Sequence, residues 1–156
     1  DMGAIDALNE ALGGVTVTLA EDFSRLDAQM TKGATVTLRG EQAELFVRGR
    51  MNVGDGKNAS RMRRQRAFIQ AATEKIAQGL NEDVEFADRL FDALSAHMTA
   101  DVERGWLINK AYESRAYRRS NTMTLAGDYA VGEDGFMEFH ADEESLGELL
   151  AANYFE

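Results

Sequence analysis

A change of hydrophobic period at Gly13-Gly14 decides what this chain can become. Before the glycines, Ile5, Leu8 and Leu12 recur at the three-to-four spacing of a helix face. After them, residues 15–19 (VTVTL) alternate β-branched and apolar side chains as a strand does. The glycines end the helix because they admit a positive φ. A helix, a glycine stop and a strand make one layer of an α/β fold.

The same reading extends along the chain. Residues 20–34 are polar and expected to loop, and residues 34–38 (ATVTL) form a second strand. Ala43, Phe46 and Val47 within EQAELFVRGR are candidates for the core. Residues 49–58 (GRMNVGDGKN) hold three glycines and almost no apolar pattern, which reads as an exposed loop of the kind that carries function. Ser60 is placed to cap the next helix, with Ile69, Ala72 and Ile76 on its buried side and Gly79 as its stop. A helix over residues 84–97 carries Phe86, Leu90, Phe91 and Leu94, and Asp101 is placed to cap another bearing Trp106, Leu107 and Tyr112. Beyond Arg119, strands are expected at residues 122–126 and 135–139, then a closing helix with Leu146, Leu149 and Leu150 on its apolar side. The expected architecture is a single α/β or α+β domain over residues 1–156, with α/β preferred: a mixed central sheet covered by helices in an α-β-α sandwich.

Composition narrows the function classes. The 156 residues are 44% hydrophobic and 28% charged, enough to bury a core in one domain. Without cysteine there is neither a disulfide nor a thiolate metal site, and with two histidines, His97 and His140, there is no histidine-rich one. Both are read as structural, and Glu143, Glu144 and Glu148 as a solvated helix face. No apolar run approaches the roughly 18–20 residues that span a bilayer. A net charge of −10 makes the surface repel nucleic acid and anionic lipid on average.

One window departs from that average. Residues 48–66 hold seven basic side chains against the single acid Asp55, a net of +6 in a chain of −10, which leaves −16 elsewhere. Arg48 and Arg50 flank the front of the loop, and Arg61, Arg64 and Gln65 lie at the start of the following helix, with Arg61 and Arg64 at i,i+3. If the loop folds back, their guanidinium groups converge on one multiply charged anion. Arginine suits this because its planar fork pairs with phosphate oxygens and stays protonated, and helix N-terminal amides add donors. Gln65 can orient an oxygen but cannot act as a base. Three readings of the window stand: a solvated face paired to acids of this protein, with Arg63 and Arg66 its first members; an anion site; or a nucleic-acid contact. The last is disfavoured because the patch lacks aromatic stacking groups.

The ordered segments ALGGVTVTL, LRGEQAELFVRGR, NASRMRRQRAFIQA and TMTLAGDYAVGEDGFMEFHADEESLGELL resemble the LytR-CpsA-Psr family of cell-envelope polymer ligases over most of the chain. The resemblance implies a membrane-anchored enzyme with its catalytic domain outside the cell, transferring glycopolymer from a polyprenyl-pyrophosphate carrier to peptidoglycan or another envelope acceptor. It implies that Arg48, Arg50, Arg61, Arg64 and Gln65 embrace the carrier's pyrophosphate beside acidic residues and magnesium. The expected partners are the lipid-linked glycopolymer and the envelope acceptor, with no nucleic acid. The alternative is a noncatalytic module that binds an anion or envelope polymer.

Two departures from the family pattern stand out. Asn58 occupies a position three residues before Arg61 where the family often has aspartate, and nearby Asp55 is the one general-base candidate of the window. The chain enters the pattern midway, so the expectation is a central to C-terminal portion of a larger domain, with the acidic metal ligands and an anchor preceding residue 1.

Overall fold

The computed structural model describes residues 1–117 and 123–154. The fold is α/β, as the sequence indicates, and the described strands pair as two antiparallel two-stranded ribbons. The chain divides into two compact units, Asp1–Tyr117 and Arg118–Glu156.

The first unit begins with α1 (Ala4–Ala11), which ends at Gly13 and Gly14, both at positive φ. Gly14 is required twice over: its φ is +87°, and a Cβ there would lie 2.7 Å from the Leu38 carbonyl oxygen. Strands β1 (Thr16–Thr18) and β2 (Thr35–Thr37) pair with Val17 opposite Val36. Threonine hydroxyls hydrogen-bond across the ribbon at 2.8 and 3.0 Å on one face. Val15, Val17, Leu19 and Leu38 are buried. Buried Asn9 joins α1 to both strands: its Oδ1 accepts the Val15 amide at 2.8 Å and its Nδ2 donates to the Leu38 carbonyl at 3.0 Å. The connection over residues 20–34 loops as expected, but it is not merely polar, since Phe23 and Met30 are fully buried and plug the core.

Helix α2 (Gln42–Arg48) buries Ala43, Phe46 and Val47, the three residues expected to face inward. Helix α3 (Asn58–Glu82) runs 25 residues, and its inner stripe steps by four through Ser60, Arg64, Phe68, Ala72, Ile76 and Leu80. Three expectations are corrected here. Ile69 is 56% exposed, because it sits one residue, or about 100° of helix rotation, from the inward Phe68. Ser60 lies inside the helix, one turn past where a cap belongs, and is buried. Gly79 does not stop the helix, since the Phe86 ring fills the space a side chain would take. Lys75 on α3 donates through Nζ to the Leu12 and Gly14 carbonyls at 2.9 and 2.6 Å, satisfying the end of α1.

Helices α4 (Phe86–Ser95) and α5 (Arg104–Glu113) complete the unit. Arg104, at the start of α5, pairs with Asp88 and Asp92, and Asp101 is not the residue that caps this helix. Trp106 is half exposed, with the Lys110 ammonium 5.8 Å from its ring. Between α3, α4 and α5 lies an apolar groove of about 190 Å³ bounded by Leu80, Leu90, Phe91, Leu94 and Leu107.

In the second unit, β3 (Gly127–Val131) pairs with β4 (Met137–Ala141), and α6 (Glu143–Tyr154) follows. The expected strand frames are thus displaced, and Thr122 of the first lies outside the described residues. The reason is the turn: Gly132 N–H donates to the Phe136 carbonyl at 2.7 Å and Gly135 takes φ +81°, so GDYAV is a strand and not a connection. Tyr129 and Phe139 stack at 5.1 Å across the pair. Asp142 caps α6 by accepting the Ser145 amide at 2.8 Å, and Leu146 and Leu149 are partly covered.

Candidate functional site

The loop between α2 and α3 turns through residues in the left-handed region, Asn52, Gly54 and Gly56, and returns the chain beside α2. It is exposed except at Val53, which is buried in the core and fixes the loop from below. Asp55 anchors its far end, accepting the Lys57 amide at 3.0 Å. Hydrogen bonding from the Ser60 hydroxyl, and then from that amide, holds the Asp55 carboxyl below its ordinary value. A carboxylate stabilised in its charged form is a poorer proton acceptor, which counts against Asp55 as a general base.

Folding sorts the basic window into three groups. Arg64 turns inward and is 5% exposed. Its Nε donates to the Phe46 carbonyl at 2.8 Å, one Nη to Glu21 and the other to the Gly49 carbonyl. It also lies over the Phe23 ring at 5.5 Å. These contacts close the C-terminal end of α2 with a buried cation, where the helix dipole favours one. Gln65 adds a long bond from Nε2 to the Val47 carbonyl, 3.4 Å. Arg64 and Gln65 therefore hold the backbone that carries Arg48, Gly49 and Arg50, and the i,i+3 pairing of Arg61 with Arg64 does not put both at one outward point. Arg63 meets the other oxygen of Glu21 at 3.7 Å and donates to the Ser60 hydroxyl at 2.7 Å.

Arg48 forms an ion pair with Glu44, one helical turn earlier. It borders an open cleft of about 700 Å³ whose other walls include Asp6, Asp27, Glu41 and Glu44. Asp27 accepts a hydrogen bond from the Gln42 side chain, Nε2, at 2.6 Å, which helps to hold its carboxyl below the ordinary value.

Arg50 and Arg61 form the third group. Both donate through Nη2 to the same oxygen, Oδ1 of Asn58, at 3.5 and 2.6 Å. Among the described residues neither makes an ion pair with a carboxylate. The pair stands at the start of α3, where unpaired backbone amides reinforce positive potential. Of the five residues singled out from the sequence, Arg50 and Arg61 are thus brought together, Arg48 is held by an acid, and Arg64 and Gln65 support from beneath. Sequence reasoning missed Glu21, which lies 43 positions from Arg64 and leaves no local signal. Glu44 did leave one, at four residues before Arg48.

Among the described residues no group of three or more Asp, Glu, His or Cys side chains could hold a metal. The magnesium expected from the resemblance therefore has no donor set among them. Each histidine meets an acid of its own unit, His97 Nδ1 against Asp1 at 3.0 Å and His140 against Glu138 at 3.4 Å.

The described part of the site is thus a cationic pair, Arg50 and Arg61, at a helix start, with no carboxylate partner among the described residues. The profile of the LytR_cpsA_psr family matches residues 1–153, and the chain belongs to that family. A comparison with curated proteins gave no match. Solved structures with the same fold include the Lin1025 protein of Listeria innocua, 24% identical with a TM-score of 0.60 over 97% of this chain and 62% of that one. A transcriptional regulator (EF0465) from Enterococcus faecalis is 20% identical with a TM-score of 0.71 over 97% and 54%. TagV of B. subtilis is 18% identical with a TM-score of 0.68 over 97% and 59%. The chain spans 54 to 62% of the length of these structures. Among the described residues no helix is long and apolar enough to cross a membrane.

Proposed function

We propose that this chain forms the pyrophosphate-holding part of an envelope glycopolymer transferase, working outside the cell on a polyprenyl-pyrophosphate carrier, with peptidoglycan or another envelope polymer as acceptor. The observation that carries the reading is the pair of Arg50 and Arg61, gathered on one neutral oxygen with no described carboxylate to quench them. In the transfer, an acceptor hydroxyl attacks the sugar-linked phosphorus. A new phosphorus–oxygen bond forms, the bridge to the second phosphorus breaks, polyprenyl phosphate leaves, and the hydroxyl proton passes to solvent. Arg50 and Arg61 stabilise charge on the phosphoryl oxygens and the leaving phosphate, with Arg48 beside them once it releases Glu44. Arg64 and Gln65 act by fixing the strand of backbone that bears Arg48 and Arg50.

The test is transfer of a lipid-linked glycopolymer to peptidoglycan by the full-length protein, wild type against Arg50→Ala plus Arg61→Ala. The reading expects loss of transfer in the variant, and undiminished transfer would refute it. The commitment of Arg64 and Gln65 to backbone partners favours a second reading, a module that holds an anionic polymer without turnover. Polymer retention by the full-length wild type with no transfer product would establish that one.

A further inference from the structure

Asn58 opens α3, and its amide orientation is fixed by chemistry. Guanidinium groups only donate, so the side that meets Nη2 of Arg50 and Nη2 of Arg61 is the carbonyl oxygen, while Nδ2 faces the weakly accepting sulfur of Met62 at 3.7 Å. One neutral oxygen thus receives two cations, one from the loop and one from the first turn of the helix. A dipole holds such a pair without cancelling its charge, whereas a carboxylate at the same place would remove half of it. Nε of Arg61 is also buried with no hydrogen-bond partner.

We propose that Asn58 is a positioning residue that yokes Arg50 and Arg61 and, by being neutral, tunes the site to the more highly charged pyrophosphate group over a single phosphate. This rests on the anion-site reading above. An aspartate at residue 58 would form ion pairs with both arginines and compete with the ligand for them.

The experiment uses the full chain with inorganic pyrophosphate and orthophosphate as probes, titrated by calorimetry, and thermal melts at low and high salt. Asn58→Asp should weaken pyrophosphate binding by at least about tenfold, because a unit charge within a few ångströms of a multiply charged ligand acts more strongly at a protein surface than in bulk water, and orthophosphate binding by less. Asn58→Ala keeps the charge but frees the two guanidiniums, so it should weaken pyrophosphate by about threefold and leave the salt dependence of binding unchanged. Independently of any ligand, Asn58→Asp should raise the melting temperature at low salt by about 1–3 °C and lose that gain at high salt. The gain should shrink when Arg50 and Arg61 are both alanine, which separates it from the benefit any acid receives at a helix start.

Pyrophosphate binding by Asn58→Asp equal to wild type would overturn the assignment. So would a melting gain indifferent to the two arginines. A wild type that does not bind pyrophosphate, with the arginine-dependent melting gain intact, would refute the anion-site reading and its selectivity while leaving the yoke established.

Discussion

Arg64→Ala separates a clamp from a ligand. Arg64 is 5% exposed and its partner Glu21 11%, so the pair is sheltered from solvent screening. Truncation strands the Glu21 carboxylate with only the 3.7 Å contact to exposed Arg63, and removes the donors that the Phe46 and Gly49 carbonyls use. Removing one member of a buried ion pair costs about 3–5 kcal/mol. Each buried carbonyl left without a donor adds about 1–3 kcal/mol where water cannot replace it. Water can enter the space vacated beneath the exposed loop and hydrate both carbonyls, so the ion-pair cost sets the total, about 4 kcal/mol. That corresponds to a fall in melting temperature of about 8–16 °C at this chain size. Urea unfolding followed by circular dichroism measures it, because α3 alone supplies 25 helical residues. Glu21→Gln in the Arg64→Ala background should restore part of the loss, since it removes the stranded charge. If Arg64→Ala melts within about 2 °C of wild type yet loses pyrophosphate binding, the guanidinium is a ligand group and the clamp is wrong.

Asn9→Ala should cost about 2–3 kcal/mol in the same urea assay, because it unpairs the Val15 amide and the Leu38 carbonyl together. Gly79→Ala should destabilise although alanine favours helix, because Phe86 occupies the space of the new methyl, and Phe86→Leu should recover part of the loss in a double-mutant cycle. The Asp55 carboxyl should titrate below 3.8 when followed by NMR. Its folded value lies below its unfolded one, so its contribution is present above the unfolded value and is lost as pH falls through the folded value; Asp55→Asn should abolish that acid dependence at the start of α3.

What the sequence made legible is what local periodicity controls. The Gly13-Gly14 switch, the two TVT strands, the inward side of α2 and the partly covered Leu146 and Leu149 of α6 each follow from neighbours within a few positions, whereas Leu150, expected beside them, is 39% exposed. The errors arise where a distant contact decides. Phe23 and Met30 look like incidental apolar residues in a polar stretch until the ribbon of β1 and β2 gives them a core to enter. Phe86 turns Gly79 from a helix stop into a packing site. In the second ribbon the expected connection over residues 127–135 is too long: its first five residues pair as β3, and the turn is confined to residues 132–136. The basic window was visible as charge, and its convergence was legible for Arg50 and Arg61. The inward turn of Arg64 was not, because the side chain is drawn by Glu21 and by the carbonyls at the end of α2 rather than by anything near it in sequence.

Calorimetric titration of a short-chain polyprenyl pyrophosphate into the wild type, Arg50→Ala plus Arg61→Ala, and Arg63→Ala puts the carboxylate-free pair itself to trial. The account predicts saturable binding by the wild type, a loss of at least about a hundredfold in the double variant from two missing charge-assisted contacts, and little change in Arg63→Ala, whose guanidinium is engaged with Glu21. Equal losses in the two variants would mean that net charge, not the pair on Asn58, holds the anion, and binding retained by the double variant would contradict the site outright.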